Sequence, residues 1–121
     1  MAGMTTLQRG MVIDVNLEPT QGSETGKVRP CIVVTNDLYN ARTPVIQVVP
    51  LTGWSDKKAL VRTNIEISPD EKNGLGKRSI ADCLQTRPID HRFRMVQMRG
   101  TISASALQQI DQALKVVFGL R

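Results

Sequence analysis

Gly22-Ser23-Glu24-Thr25-Gly26-Lys27-Val28-Arg29-Pro30 runs without a break into Cys31-Ile32-Val33-Val34-Thr35. The first part is polar and carries two glycines; the second is apolar and rich in β-branched residues. That order predicts a sharply bending loop feeding a strand. The apolar run from Val28 to Thr35 is almost continuous, so the strand is expected at the centre of a sheet, covered on both faces. Arg29 stands at its start, where a guanidinium on a rigid element offers a planar fork that matches two phosphate oxygens. About one strand later, Pro50-Leu51-Thr52-Gly53 forms a second polar punctuation. The two sites together point to chemistry on a phosphate. A purely structural reading, with Arg29 capping a strand and Thr52 closing a turn, stands beside it.

Working outward, Met11 to Leu17 sets Met11, Ile13, Val15 and Leu17 against Val12, Asp14 and Asn16, the alternation of a half-buried strand. Asn36-Asp37 and Asn40 mark a turn or a short helical excursion. Pro44 to Leu51 is a third strand, and Gly53 to Lys58, with the only tryptophan, Trp54, is a flexible β-loop. Val61 to Ile67 alternates cleanly as a strand, and Ser68 to Lys77, with Pro69, Asn73, Gly74 and Gly76, is a long turn. Arg78 to Gln85 and Met95 to Ile102 are two further strands, separated by Pro88-Ile89-Asp90-His91. The period then changes. Leu107, Ile110, Leu114 and Val117 form one stripe of a helix that Ser103 caps and Gly119 ends. The expected fold is mainly β: a small, strongly curved antiparallel sheet or barrel with a C-terminal α-helix. At 121 residues, the chain reads as a single domain over residues 1–121, with residues 1–8 as a flexible N-terminus.

Composition narrows the chemistry. The chain is 40% hydrophobic but only 3% aromatic, so its core is aliphatic, and recognition of RNA by several stacked aromatics is not expected. Sixteen basic residues against eleven acidic ones give a net charge of +5, which fits either a polyanionic partner or a solvated basic surface. No apolar run approaches the ~20 residues that cross a bilayer, and Met1 to Arg9 lacks the apolar middle of a secretory signal. A cytoplasmic location without membrane attachment is expected. Cys31 and Cys83 lie in apolar segments and read as buried free thiols, with no Cys/His cluster for zinc. A two-histidine nuclease is impossible within one subunit, because His91 is the only histidine. Asp14, Glu66 and Asp82 are scattered singly, so no metal and no cofactor is expected. Gly26-Lys27-Val28 lacks the hydroxyl of a nucleotide-binding loop. What remains is phosphate chemistry run by an arginine, a hydroxyl and a loop carboxylate: Arg29, Thr52 and Glu24. RNA suits such a set, since its 2′-hydroxyl is a built-in nucleophile.

Arg9-Gly10, then a strand, then the Gly-Ser-Glu-x-Gly-x-x-Arg-Pro pattern of Gly22 to Pro30 resembles the MazF/PemK (Kid-like) toxins of type II toxin–antitoxin pairs. The resemblance continues through Thr35-Asn36-Asp37, Pro50-Leu51-Thr52-Gly53, Gln85-Thr86-Arg87-Pro88-Ile89-Asp90 and the helix around Asp111, Ala113 and Leu114. It implies a small SH3-like barrel of the CcdB/PemK kind that acts as a homodimer. The implied activity is a metal-independent endoribonuclease that cuts single-stranded mRNA at short motifs and is held in check by a cognate antitoxin. Such cleavage leaves a 2′,3′-cyclic phosphate and a 5′-hydroxyl.

By the same resemblance, Arg29 is the catalytic proton donor or phosphate clamp, Thr52 stabilises the transition state, and Glu24 is the functional loop glutamate. The loop from Thr20 to Lys27 gates RNA entry. Ser23, Thr25, Lys27, Gly53, Trp54, Gln85 and Arg87 are the RNA-binding candidates. Trp54 stacks on a base or packs on the barrel; Arg87 contacts RNA, stiffens the dimer or serves as a structural ion-pair partner. Some relatives carry an acid just before the Gln-x-Arg segment, proposed there as the base. Here that position is Leu84; Glu24 is a candidate base or a simply solvated loop glutamate. Related barrels inhibit a protein target such as DNA gyrase without cutting RNA, and a toxin-derived protein that has lost cleavage also fits Leu84. The Arg29/Thr52 pair favours the nuclease.

Overall fold

Aliphatic and β-branched runs form seven strands in a computed structural model that describes residues 6–121: β1 (Met11–Asn16), β2 (Val28–Val33), β3 (Val45–Gly53), β4 (Asn64–Ile67), β5 (Ser79–Asp82), β6 (Arg87–Asp90) and β7 (Met95–Thr101). All pair antiparallel, in the order β4-β5-β3-β2-β1-β7, with β6 on β3. The nine-residue β3 organises the sheet. Its first half pairs with β6 and β2, and from Leu51 onward it pairs with β5 instead. The chain is therefore mainly β with a C-terminal helix, as its hydropathy pattern predicts.

The alternation of side chains sorts the core into two faces. Val12, Ile32, Val49, Leu51 and Ala81 lie on one side, under helix α4 (Ala104–Phe118). Ile13, Val15, Cys31, Val33, Ile46 and Val48 lie on the other, with Ile89 and Leu7. Because β2 contributes to both, it is the central, doubly covered strand that its apolar run demands. β1 differs from the half-buried strand expected of it: Val12 is fully buried beneath α4, and Asp14 is 5% exposed. The carboxylate tolerates burial because Arg99 Nε and Gln97 Nε2 each donate to it at 2.6 Å. Register shifts in the β1–β7 pairing, on either side of Ile13↔Met98 and Asp14↔Gln97, accompany that arrangement.

Helix α4 begins at Ser103, whose side chain accepts from Ala106 N–H, and ends at Gly119 in the left-handed region at φ 68°. Ile110 and Ala113 are its buried residues, flanked by Leu107, Leu114 and Val117. Arg9 ties the helix to the sheet, donating from Nε to the Val34 carbonyl at 2.9 Å and forking onto Asp111.

Four segments depart from the sequence expectation. Gly53 closes β3, and the polar stretch after it is not a β-loop but holds a short helix, α2 (Asp56–Ala59), capped by Ser55. The strand expected over Val61 to Ile67 starts only at Asn64, because Asn64 N–H closes a turn onto the Val61 carbonyl at 3.0 Å. The strand expected over Arg78 to Gln85 ends at Asp82 and passes into a 3-10 turn, Cys83–Gln85. Finally, the separator around Pro88 is itself a strand, β6, on the free first half of β3, where a proline without an N–H is tolerated. The helical turn α3 (His91–Arg94) follows, and α1 (Asp37–Asn40) is the short helical excursion signalled by its asparagines. Of residues 1–8, expected to be flexible, residues 1–5 lie outside the described residues, while Leu7 packs into the second core face at 5% exposure.

Candidate functional site: a basic groove where β2 and β3 part

β2 and β3 pair from Val33↔Val48 to Cys31↔Pro50. Beyond that point β3 turns to β5 while β2 stays with β1. Prolines at 30 and 50 flank the parting, and neither has an N–H to extend the ladder. If the register ran on, Arg29 would face Thr52; instead the two strands open a groove between those residues. A hollow of about 470 Å³ is lined by Arg29, Thr52, Gly53, Lys77, Ser79 and Arg99, among others. A second hollow of about 380 Å³ adjoins it and shares Arg29 and Thr52. Its other walls include Ser23, Glu24, Thr25, Lys58, Asp82 and Gln85.

Arg29 is half-buried and oriented by the loop before it: its Nε donates to the Gly26 carbonyl at 2.8 Å. Its two Nη groups have no hydrogen-bond partner among the described residues, so the fork stays available for an anion. The loop that supplies the carbonyl is organised around Glu18. That carboxylate accepts from Lys27 N–H at 2.6 Å and from Thr20 N–H and Oγ1 at 3.1 and 3.2 Å. These bonds, Lys27 first, hold the Glu18 carboxyl below its usual range. Gly26 leaves room for these side chains. A Cβ at this position would run into the Glu18 carboxylate and come within 2.8 Å of Thr20 Oγ1.

Thr52 is also half-buried, and its Oγ1 accepts from the Lys58 ammonium at 3.3 Å. A hydroxyl that accepts from an ammonium keeps its own proton free to donate. Lys58 reaches back from α2 and also donates to the Gly53 carbonyl at 3.1 Å. The sequence reading missed Lys58, although Ser55-Asp56-Lys57-Lys58 carries the cap-and-turn signal that folds it back toward Thr52. Lys77, Arg99, Asn64 and Asp82 also line the groove without having been singled out for it. They come from β4, β5, β7 and the long turn, and only the tertiary fold brings those elements together.

The remaining candidates divide. Glu24 is exposed, and its Oε1 accepts from Gln21 N–H at 2.8 Å, closing a turn of the loop. Gln85 clamps the same loop at both ends of its amide: Oε1 accepts from Thr25 N–H at 3.2 Å and Nε2 donates to the Ser23 carbonyl at 3.1 Å. Arg87 donates to the Leu17 carbonyl at 3.0 Å and stitches β6 to the end of β1. Lys27 is exposed with φ 69°, and Trp54 lies under the Arg78 guanidinium, 3.5 Å from its ring centroid. Neither lines the two hollows, and Leu84 lies 65% exposed outside both.

Cys31 and Cys83 are free and buried, their thiols pushed up to about 12, chiefly by burial. Among the described residues, no three His, Cys, Asp or Glu side chains gather as metal ligands, and no helix is long and apolar enough to cross a membrane.

A mainly antiparallel β fold with a C-terminal helix, and an arginine–hydroxyl groove at one end of its central strands, defines a small β protein with a candidate anion-binding groove. The chain belongs to the PemK-like, MazF-like toxins of type II toxin–antitoxin systems, whose sequence model matches residues 8–118. Its fold is that of MazF from Deinococcus radiodurans, with a TM-score of 0.82 at 22% identity over 97% of this chain and 100% of that one. The Mycobacterium tuberculosis toxin MazF-mt6 superposes with a TM-score of 0.70 at 21% identity, over 93% of this chain and 99% of that one. A mycobacterial endoribonuclease in complex with its cognate antitoxin matches with a TM-score of 0.72 at 19% identity, covering 98% of each chain.

Proposed function

We propose that this toxin is a metal-independent endoribonuclease that cuts single-stranded mRNA at short sequence motifs. The observation that carries the reading is the shared groove of Arg29 and Thr52, with the arginine tethered through Nε and its fork uncommitted. The 2′-hydroxyl of the nucleotide before the cut attacks the adjacent phosphorus. Arg29 clamps the non-bridging oxygens, and Thr52, fed by the Lys58 ammonium, donates to the charge that builds there. The products are a 2′,3′-cyclic phosphate and a 5′-hydroxyl. Ser23, Thr25 and Gln85 form the rim over which the RNA enters, and Glu24 shapes that rim through its turn onto Gln21. Lys58 and Lys77 supply further positive charge along the strand's path. A cognate antitoxin covers this groove, and two copies of the chain form the working unit; the endoribonuclease seen with its antitoxin has the same fold.

The test is to incubate the purified chain with a long single-stranded RNA in excess chelator and map the new ends. Cleavage at a recurring short motif, with cyclic phosphate and 5′-hydroxyl ends, is expected. Intact RNA, or cutting only after a divalent metal is restored, refutes the reading, and intact RNA favours a protein-directed toxin.

A further inference from the structure

We propose that Asp82 is the base that takes the proton from the attacking 2′-hydroxyl. The inference rests on the reading of the chain as an RNA-cleaving enzyme, and it assigns the one role for which Arg29 and Thr52 are unsuited. An arginine stays protonated and a threonine hydroxyl is a poor base, whereas a carboxylate is a base suited to accept that proton. Two carboxylates line the inner hollow, Glu24 and Asp82.

They differ in what they are already committed to. Glu24 is exposed and closes the turn onto Gln21 N–H at 2.8 Å. Asp82, at the end of β5, is half-buried, and its carboxylate makes no hydrogen bond or ion pair among the described residues. It even stands just before the 3-10 turn Cys83–Gln85, where an aspartate readily caps, yet makes no capping bond. A half-buried carboxylate in a groove that also holds Arg29 and Lys58 is therefore left facing the ligand space.

A second observation points the same way. Asp82 pairs with Asn64 across the β4–β5 ladder, and both line this hollow. Asn64 Nδ2 is spent on the Lys58 carbonyl at 3.0 Å, while its Oδ1 is buried with no partner. Two neighbouring side chains thus present acceptors with no donor between them, and a buried acceptor without a donor is costly. Asp82 is the member of the pair that opens on the hollow, and a ribose hydroxyl there is a donor of the kind its carboxylate lacks.

The step balances as an isomerisation of the phosphodiester. Asp82 removes the 2′-hydroxyl proton as the 2′-oxygen bonds to phosphorus. The bond from phosphorus to the 5′-oxygen breaks with its electron pair on that oxygen, which takes a proton from water. The Asp82 carboxylic acid then returns its proton to the hydroxide left behind, and no water is consumed.

The experiment uses the full chain and a short RNA spanning a mapped cut site, with binding measured on the same RNA carrying a 2′-deoxy sugar at the cut. Asp82→Asn is expected to lower single-turnover cleavage by about 10²- to 10⁴-fold while holding affinity within about threefold. The acid limb of the wild-type pH–rate profile disappears in Asp82→Asn, whereas Glu24→Gln keeps it. Asp82→Ala regains part of its rate in added formate, which a merely structural role would not produce. A folded Asp82→Asn protein that cleaves within about threefold of wild type, or that keeps the acid limb, overturns the assignment. So does a Glu24→Gln protein that loses the limb instead. Wild-type protein that leaves every RNA intact overturns the underlying reading as well, and the two failures are told apart by that control.

Discussion

Replacing Arg29 by lysine keeps a positive charge in the groove but removes the fork and the Nε tether to Gly26. The wild-type side chain spends one donor on that carbonyl and leaves both Nη groups to meet a phosphate. A hydrogen bond to a charged group contributes about 1.5–3 kcal/mol, so two parallel ones amount to about 3–6 kcal/mol in a dry site. Arg29 is half-buried beside an open groove, and water screens the upper part of that range. About 3–4 kcal/mol is the reasonable expectation for Arg29→Ala, a loss of about 10²- to 10³-fold at 1.36 kcal/mol per factor of ten. Lysine retains the charge and one of the two phosphate bonds, which halves the loss to about 10- to 30-fold.

Single-turnover cleavage of a fluorogenic single-stranded RNA measures both variants. If the fork acts on charge that develops in the transition state, kcat falls and KM stays within about twofold. Neither substitution threatens the fold, since the side chain's one hydrogen bond among the described residues is local to the loop. Far-ultraviolet circular dichroism and a melting curve check that. The reasoning is refuted if Arg29→Ala cleaves within threefold of wild type, or if lysine matches arginine. In the latter case charge alone operates and the geometry of the fork is irrelevant.

Other perturbations test the scaffold around the groove. Asp14→Ala strips the partner from Arg99, whose side chain is 32% exposed against 7% for Asp14, and should cost about 2–4 kcal/mol in urea unfolding; a cost below about 1 kcal/mol contradicts the buried pair. Cys31 and Cys83, buried and with thiols pushed up to about 12 chiefly by burial, should resist a thiol-specific disulfide reagent at pH 8 in native protein and react at once in denaturant. Rapid native labelling of either would disprove their burial. Glu18 has a lowered folded value, so the order it gives the entry loop is complete above the ordinary glutamate pKa of about 4.3 and fades only as pH falls through the lowered value. Thr20 and Lys27 amide shifts should therefore hold steady from pH 7 down to the ordinary glutamate pKa of about 4.3 and move together only below it. Movement near pH 6 would deny the link.

The sequence was most legible where one force dominated. The stripe of Leu107, Ile110 and Leu114 and the caps at Ser103 and Gly119 have a single helical solution, and α4 adopts it. The apolar stretch Cys31-Ile32-Val33-Val34 has a single place, between two core faces. Local pattern failed where tertiary pairing decided. Pro88 looks like a strand breaker, yet β3 is long enough to give β6 an edge on which a missing N–H is harmless. Asp14 looks like the solvent face of β1, and only the bulged return of β7 supplies Arg99 and Gln97 to it. In the groove, Arg29, Thr52 and Glu24 stand out in the sequence because each lies in or beside a distinctive glycine-bearing stretch, Arg29 and Thr52 at strand ends and Glu24 in the loop between β1 and β2. Lys58 and Asp82 do not, since each becomes relevant only through where a neighbouring element folds.

That asymmetry follows from how the groove is made. It is not a loop-built pocket but the gap left when two paired strands take different partners. β2 keeps β1 as its neighbour while β3, past Pro50, exchanges β2 for β5. The exchange leaves Arg29 and Thr52 on opposite lips with their backbones fixed by other ladders, so neither side chain must be ordered when a ligand arrives. It also draws in whatever β5 carries, and Asp82 is the polar residue at its end. A phosphodiester entering the gap meets a fork from one lip and a hydroxyl from the other, with an uncommitted carboxylate on the same wall. A scaffold of this kind ties the positions of its candidate acid–base and anion-binding groups to strand register rather than to loop conformation. Loop substitutions outside the Gly26 contact should therefore alter which RNA enters far more than how fast a bound strand is cut.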